Sequence, residues 1–263
     1  MQIHFYKYQG TGNDFILLAN RKQEYSHITK EQVRTLCDRH FGIGADGLML
    51  LNDSADYDFE MKYYNSDGNE SSMCGNGGRC ITAFAKKLGL ITKEATFTAI
   101  DGIHVATIDE EDVVDLNMND VRSMIIREES FELNTGSPHY VHYIDEVKNL
   151  DVKKEGALIR YSPLYKEEGI NVNFVEVISN KEIFVRTYER GVEDETLSCG
   201  TGVTASALTF IKDMFGEQIV TVNTLGGRLN VRCHNVDGQF FRNICLSGKA
   251  EYVFEGRAMT IDD

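Results

Sequence analysis

Two segments 125 residues apart carry the same phrase, Cys-Gly-x-Gly, once at Cys74 and once at Cys199. Sliding the chain along itself by that interval, without gaps, also matches Phe59 with Phe184, Tyr63 with Tyr188, Glu70 with Glu195 and Lys87 with Lys212. Gly75 meets Gly200 and Gly77 meets Gly202. A window of this length gives about two chance identities at ordinary composition, against seven here. The matched stretch, 59–87, reads as one strand, one loop and one helix, a supersecondary unit that needs a partner to bury its apolar face. The simplest fold for such a chain is two similar α/β halves meeting near residue 117. We therefore expect a first half over 1–117 carrying Cys74 and a second over 118–254 carrying Cys199, with the tail 255–263 free to return to the first.

The local patterns fill in this frame. Short alternating or apolar runs predict strands at 3–8, 15–19, 48–51, 59–64, 97–100, 104–108 and 113–118 in the first half. The second half shows them at 172–178, 183–188, 219–223, 229–233 and 240–246, with Leu225-Gly226-Gly227-Arg228 as a hairpin turn. Asp109-Glu110-Glu111-Asp112 reads as a solvated turn between strands. Thr29 followed by Gln32, Val33 and Leu36 predicts a capped helix to about His40. The helices behind the two Cys-Gly phrases run from Gly75 to a terminating Gly89 and from Gly200 towards Gly216. Both are small and apolar on most sides, which predicts burial.

Composition bounds the function. Apolar residues make up 42% and charged residues 26%, the balance of a soluble globular protein. No apolar run approaches the roughly 20 residues that cross a bilayer, and Met1-Gln2-Ile3-His4-Phe5 does not read as a secretory signal. A net charge of −14 with no basic cluster disfavours nucleic acid as a partner. Six cysteines in a chain of this size are too few for a disulfide scaffold and fit a reducing, cytosolic setting. Cys37, Cys80, Cys233 and Cys245 stand in apolar contexts and read as core. Cys74 and Cys80 lack the spacing and companion ligands of a zinc site, so no metal is expected.

A thiol at a helix N-terminus sits near about half a positive charge and several unpaired N–H donors. That setting favours the thiolate, and the glycines that follow let backbone N–H groups cradle a carboxylate. One such element suggests a nucleophile. A symmetric pair suits inversion of a carbon bearing an acidic hydrogen, where a base removes the proton from one face and an acid returns one to the other. The donors would then stabilise the carbanion-like transition state. No phosphate-loop or dinucleotide fingerprint follows a strand, so the chemistry points to no cofactor.

Three longer motifs extend the pair. They are Lys7-Tyr8-Gln9-Gly10-Thr11-Gly12-Asn13-Asp14-Phe15, Asn65-Ser66-Asp67-Gly68 leading to Met73-Cys74-Gly75-Asn76-Gly77-Gly78-Arg79-Cys80, and Tyr188-Glu189-Arg190-Gly191 leading to Leu197-Ser198-Cys199-Gly200-Thr201-Gly202. Together they closely resemble the diaminopimelate epimerases, over nearly the whole chain. The resemblance implies an α/β (α+β) fold of two pseudo-symmetric halves, each a curved, mostly antiparallel sheet around a central helix. It implies a cofactor-independent two-base isomerase interconverting LL- and meso-2,6-diaminopimelate, for lysine and peptidoglycan precursors, in a cytoplasmic homodimer. On this resemblance Cys74 and Cys199 are the acid/base pair, tuned by His139 and Glu189. Asn13, Asn65, Asn171 and Arg190 contact substrate, and the backbone at Gly75, Asn76, Gly200 and Thr201 holds the reacting carboxylate. Two positions depart from the family pattern. Gly47 stands where some members carry glutamine, and Ser137 precedes Pro138-His139 where asparagine is usual.

Other readings remain open at this stage. A proline or hydroxyproline racemase would share the fold, although Arg190 and the asparagines suit a substrate with a distal amino-acid end. A cysteine hydrolase or transferase would need one thiol, Cys74 with His139, and a non-catalytic amino-acid-binding protein would need none. Arg190 could instead pair with Glu193 or Glu195 on the surface, His139 could be a satisfied structural histidine, and Asn13 could be a turn residue. Two thiols facing one carbon would also be close enough for oxidation to link them.

Overall fold

The order of strand pairings repeats along the chain, in a computed structural model that describes residues 2–259. Contacts divide these residues into two units, 2–116 with 249–259, and 117–248. In the first, Gln2–Gly10 pairs antiparallel with Asn13–Ala19, which pairs in parallel with Gly47–Asn52. Gly47–Asn52 pairs antiparallel with Phe59–Asn65, and that strand pairs in parallel with Glu94–Ala99. Gly102–Ile108 and Val113–Asn117 complete the run, each antiparallel to the strand before it. The second unit gives the same sequence of senses. Ser130–Asn134 and Pro138–Tyr143 are antiparallel, Asn171–Ser179 is parallel to Pro138–Tyr143, and Glu182–Glu189 is antiparallel to that. Gly216–Thr224 follows in parallel with Glu182–Glu189, then Gly227–Asn235 and Phe241–Lys249 in antiparallel.

Each parallel step requires a crossover, and each crossover is a helix. Helices α1 (Lys30–Cys37) and α3 (Val152–Arg160) make the first crossover of their units. Helices α2 (Gly75–Lys87) and α4 (Gly200–Phe210) make the second. The second crossover helix touches strands across its sheet: α2 meets Gln2–Gly10, Gly47–Asn52 and Gly102–Ile108, and α4 meets Pro138–Tyr143 through Gly227–Asn235. A single helix can reach so many strands only if the sheet curves around it. This is the expected α+β fold, a mostly antiparallel curved sheet about a central helix in each unit.

The helix interiors explain their burial. Along α2 every residue from Gly75 to Ala85 is buried, and α4 places Val203, Ala205, Ala207 and Leu208 in the core of its unit. Small side chains let the helix sit close to the strands, where dispersion contacts are dense. The opposite sheet faces are covered by α1, through Val33 and Leu36, and by α3, through Val152 and Ala157. None of the described helices is long and apolar enough to cross a membrane.

Several boundaries differ from the sequence expectation, each for a local reason. Helix α1 carries the expected capping box between Thr29 and Gln32 but stops at Cys37 rather than His40. The Asp38 carboxylate accepts the N–H groups of His40 and Phe41, both at 2.8 Å, and turns the chain away. Helix α4 ends at Phe210, and Gly216, at φ +83°, opens a strand instead of closing the helix. Gly89 follows α2 at φ +73°, as a terminating glycine should. The hairpin turn is Leu225-Gly226, with Thr224 paired to Gly227. Helix α3 carries Gly156 at its middle, which hides it from a propensity reading. A Cβ at Gly156 would lie 2.4 Å from that of Tyr188, so the glycine is what lets the helix lie on its sheet. The strand Glu251–Met259 pairs along Gln2–Gly10 and belongs to the first unit, including residues 251–254 that the expectation left with the second.

Candidate active site

In the first unit Cys74 is the N-cap of α2, with extended backbone, and its sulfur accepts the Gly77 N–H at 3.2 Å. Gly75 and Asn76 begin the helix, both buried. Beneath them lies Arg79, wholly buried, with Nη2 donating to Thr11 Oγ1 at 2.6 Å and to Asn76 Oδ1 at 3.1 Å, and Nη1 to the Gly75 carbonyl at 3.3 Å. Desolvation lowers the pKa of this guanidinium from its usual value. Thr11 itself holds φ +56°, in the tight turn between the first two strands. The amide of Asn76 then donates to Asn13 Oδ1 at 3.3 Å, and Asn13 donates onward to Asp46. Arg39 clamps Asp46 and Asp14 at 2.7 Å each, and Lys7 pairs with Asp14 at 2.7 Å. Burial raises the Asp14 carboxyl, but Arg39 and Lys7 outweigh it and hold the group at about 2. The expected contacts Asn13 and Asn76 are thus joined through one polar network. Asn65 ends its strand, exposed and in register with Gly47.

Gly47 has a structural counterpart to its departure from the family pattern. A Cβ there would lie 2.5 Å from the Tyr63 ring and 2.9 Å from its hydroxyl. Tyr63 fills the place where a longer side chain would start.

In the second unit Cys199 is the N-cap of α4, 7% exposed. Its sulfur lies 3.4 Å from the hydroxyl of Thr201, and that hydroxyl lies 2.9 Å from Nε2 of His139. His139 is fully buried, and desolvation, helped by the charge of Arg190, pushes it down to about 3. It is a neutral imidazole at physiological pH. Its Nδ1 meets the side-chain amide of Asn173 at 3.1 Å. Asn173 escaped the sequence reading; its buried strand position resembles ordinary core, and the only available signal was the alternation Asn171-Val172-Asn173.

A second cluster forms around Asn171. Its amide donates to Ser137 Oγ at 2.9 Å and to the Pro138 carbonyl at 3.0 Å, and its Oδ1 accepts the Arg190 N–H at 2.9 Å. The Arg190 guanidinium, exposed, donates to the Glu168 carbonyl at 3.0 Å. Glu193 and Glu195 are engaged with Arg160 and Arg186, at 3.4 and 2.6 Å. Glu189 accepts the Thr196 hydroxyl at 3.0 Å. The structure therefore brings His139, Thr201 and Cys199 together, and Ser137, Asn171 and Arg190 together.

Of the other cysteines, Cys37, Cys80, Cys233 and Cys245 are buried in the core. Burial pushes the Cys37 and Cys233 thiols up to about 12 and Cys80 further. Among the described residues no group of three or more histidine, cysteine or acidic side chains could hold a metal.

Fold and site define a class of protein: two like α+β units, each with a thiol at the head of a buried helix and a glycine-flanked N-terminus behind it. The family model for diaminopimelate epimerase matches residues 5–124 and 131–253. The diaminopimelate epimerase of Flavobacterium psychrophilum is 54% identical over 251 residues, covering 95% of this chain and 98% of its own. That of Aquifex aeolicus is 35% identical, covering 97% of each. The chain belongs to the diaminopimelate epimerase family. Two solved structures share its fold at low identity. A phenazine biosynthesis protein of the PhzF family from Bacillus anthracis superposes with a TM-score of 0.74 at 14% identity, covering 98% of this chain and 99% of its own. A hydroxyproline epimerase from Agrobacterium vitis gives 0.68 at 13%, covering 97% and 92%.

Proposed function

We propose that the chain interconverts LL- and meso-2,6-diaminopimelate without a cofactor, with Cys74 and Cys199 as the acid/base pair. The observation that carries this reading is the repeated one: in a family of epimerases, both units cap their buried helix with a thiol. One thiolate takes the Cα proton, and the electron pair left on carbon delocalises into the adjacent carboxylate. The N–H groups at Gly75, Asn76, Gly200 and Thr201 are suited to hold that carboxylate, and they act on the charge as it develops. The other thiol then donates its proton to the opposite face. Bonds and charge balance over the cycle, and the two sulfurs exchange protonation states.

The distal amino-acid end is assigned to Asn13, Asn65, Asn171 and Arg190, with Glu189 and His139 acting on the thiols. Ser137 takes up the Asn171 amide, so the shorter residue is engaged in the same cluster as Arg190. That cluster favours an acyclic substrate with a polar far end over proline or hydroxyproline. The same reading carries a cytoplasmic homodimer, which light scattering on the purified chain checks.

Incubation with LL-diaminopimelate in deuterated water tests the proposal. Deuterium should enter Cα as the meso isomer forms. No incorporation, with L-proline and trans-4-hydroxy-L-proline run in parallel, would remove the assignment or move it to the cyclic substrates. A hydrolase built on Cys74 alone would survive Cys199→Ser.

A further inference from the structure

The donors and acceptors around His139 can be assigned one after another. The Asn173 amide nitrogen lies 3.0 Å from the Tyr140 carbonyl, which can only accept, so that atom is a donor. On its other side the Asn173 oxygen lies 2.9 Å from the Thr187 hydroxyl, which donates to it. The amide orientation is therefore fixed from two directions. Its remaining N–H points to His139 Nδ1, at 3.1 Å, so Nδ1 carries a lone pair. A buried neutral imidazole with a bare Nδ1 carries its proton on Nε2. That N–H is directed at Thr201 Oγ1, 2.9 Å away. With one lone pair of the oxygen so occupied, the threonine's own proton is left for the Cys199 sulfur at 3.4 Å.

We propose that Asn173 and the Thr201 hydroxyl are positioning residues for Cys199: Asn173 fixes the tautomer of His139, and the histidine in turn directs the Thr201 proton to the sulfur. The histidine does not act as the base for this thiol. It remains neutral and donates, so that a hydroxyl dipole faces the thiolate. A donor aimed at an anion favours the ionised form. The arrangement is neutral, and it works by orientation. Gly202 is part of it, since a Cβ there would lie 2.3 Å from the Asn173 oxygen. This inference rests on the reading of Cys199 as an acid/base residue, but its first test does not require turnover.

Nitrogen-15 NMR of histidine-labelled protein reports the tautomer directly, with the His139 signals assigned by their loss in His139→Gln. The expected result at neutral pH is a protonated Nε2 and an unprotonated Nδ1. A protonated Nδ1, or an imidazolium, overturns the proposal in the wild-type protein without any variant of Asn173. The second test is Thr201→Val against Thr201→Ser, with the ultraviolet thiolate absorbance of Cys199 taken as the difference from each form carrying Cys199→Ser. Valine should leave about tenfold less Cys199 thiolate at neutral pH, the order of effect of one hydrogen bond to a charged group, and serine should restore it. Equal thiolate in the valine and serine forms ends the proposal. If the chain epimerises diaminopimelate as proposed, Thr201→Val should lower kcat about tenfold or more with KM nearly unchanged. Absence of epimerisation in the wild type would sink the functional reading while leaving the tautomer and thiolate results to stand or fall separately.

Discussion

The two thiol-capped helix starts meet one requirement with different side-chain chemistry. Cys74 spends its sulfur on the helix, accepting the Gly77 N–H at 3.2 Å, whereas Cys199 makes no such cap and its sulfur faces the Thr201 hydroxyl. Behind them, Arg79 and Thr204 occupy equivalent positions on the 125-residue offset. Each donates to the carbonyl four residues back, Arg79 to Gly75 at 3.3 Å and Thr204 to Gly200 at 3.0 Å. The first unit adds a charged network from Arg79 through Asn76 and Asn13 to Asp46 and Arg39. The second uses a neutral chain of amide, imidazole and hydroxyl. What the repeat preserves is backbone: a tight strand-to-helix turn, two glycines, and the N–H groups of a helix start. The means of stiffening that turn is free to differ.

The largest effect should come from the feature the two units share. Cys74→Ala and Cys199→Ala are each expected to lower kcat for LL-diaminopimelate by about 10³-fold or more, the scale of a lost acid/base group. Because each direction of inversion needs both groups, the double variant should be little worse than either single one. A tenfold loss at one cysteine and a complete loss at the other would break the symmetry on which the functional reading stands.

Next in size is the difference in what lies beneath the helices. Arg79→Met removes the donors that the guanidinium supplies to Thr11 Oγ1, Asn76 Oδ1 and the Gly75 carbonyl. At about 1 kcal/mol for each lost partner, the unfolding free energy should fall by about 3 kcal/mol. Relief of the buried guanidinium, whose Nε has no hydrogen-bond partner among the described residues, offsets part of this. Thr204→Val, nearly isosteric and removing one such bond, should cost about 1 kcal/mol. Urea midpoints of the two variants measure the gap, and equal midpoints would mean that Arg79 contributes no more than its pseudo-equivalent.

How much of this was legible beforehand follows the same division. The repeat announced two units and both thiol-capped helices, because the phrase recurs at one interval before two small apolar runs. The motifs that carry the family resemblance lie in those turns. The strands between 124 and 143 are short, three, five and six residues long, and helix α3 carries Gly156 where a propensity reading wants a stronger former; packing against Tyr188 decides there, not local preference. The roles of Asn173 and Tyr63 were invisible for a different reason. A buried amide and a strand tyrosine are ordinary core residues until their partners are known, and His139 and Gly47 are far from them in sequence.

A third comparison uses acid. In the second unit His139 is held at about 3, below the 6.5 of the unfolded chain. Between those values the unfolded state binds the extra proton, so stability is fully present above pH 6.5 and declines as pH falls towards 3. By pH 5 the loss from this group alone should be about 2 kcal/mol. In the first unit Asp14 sits at about 2 against its ordinary 3.8, and its stabilising contribution begins to decline only near and below pH 3.8. The drop in urea midpoint between pH 7 and pH 5 should therefore shrink in His139→Gln and persist unchanged in Asp14→Asn. The reverse pattern would assign the acid-sensitive contact to the wrong unit.

The smallest expected contrast is between the third residues of the two helices, Gly77 and Gly202. Alanine gains about 1 kcal/mol over glycine in a helix interior, so what it meets decides the sign. At Gly77 the new Cβ would lie 2.5 Å from the Met49 methyl, the end of a flexible side chain that can swing aside, and 3.1 Å from the Cys74 sulfur. At Gly202 it would lie 2.3 Å from the oxygen of the Asn173 amide, a group held through that oxygen by Thr187 and through its nitrogen by Tyr140 and His139. Gly77→Ala should be close to neutral in stability and Gly202→Ala destabilising by about 1 kcal/mol, since a crowded, fully bonded group costs more to displace than the helix gains. The sharper readout is on the histidine: Gly202→Ala should disturb the nitrogen-15 signals of His139, and Gly77→Ala should leave them where they are. Undisturbed signals in Gly202→Ala would mean that Asn173 has slack the observed contacts do not reveal, and that the neutral chain is no stiffer than the charged one.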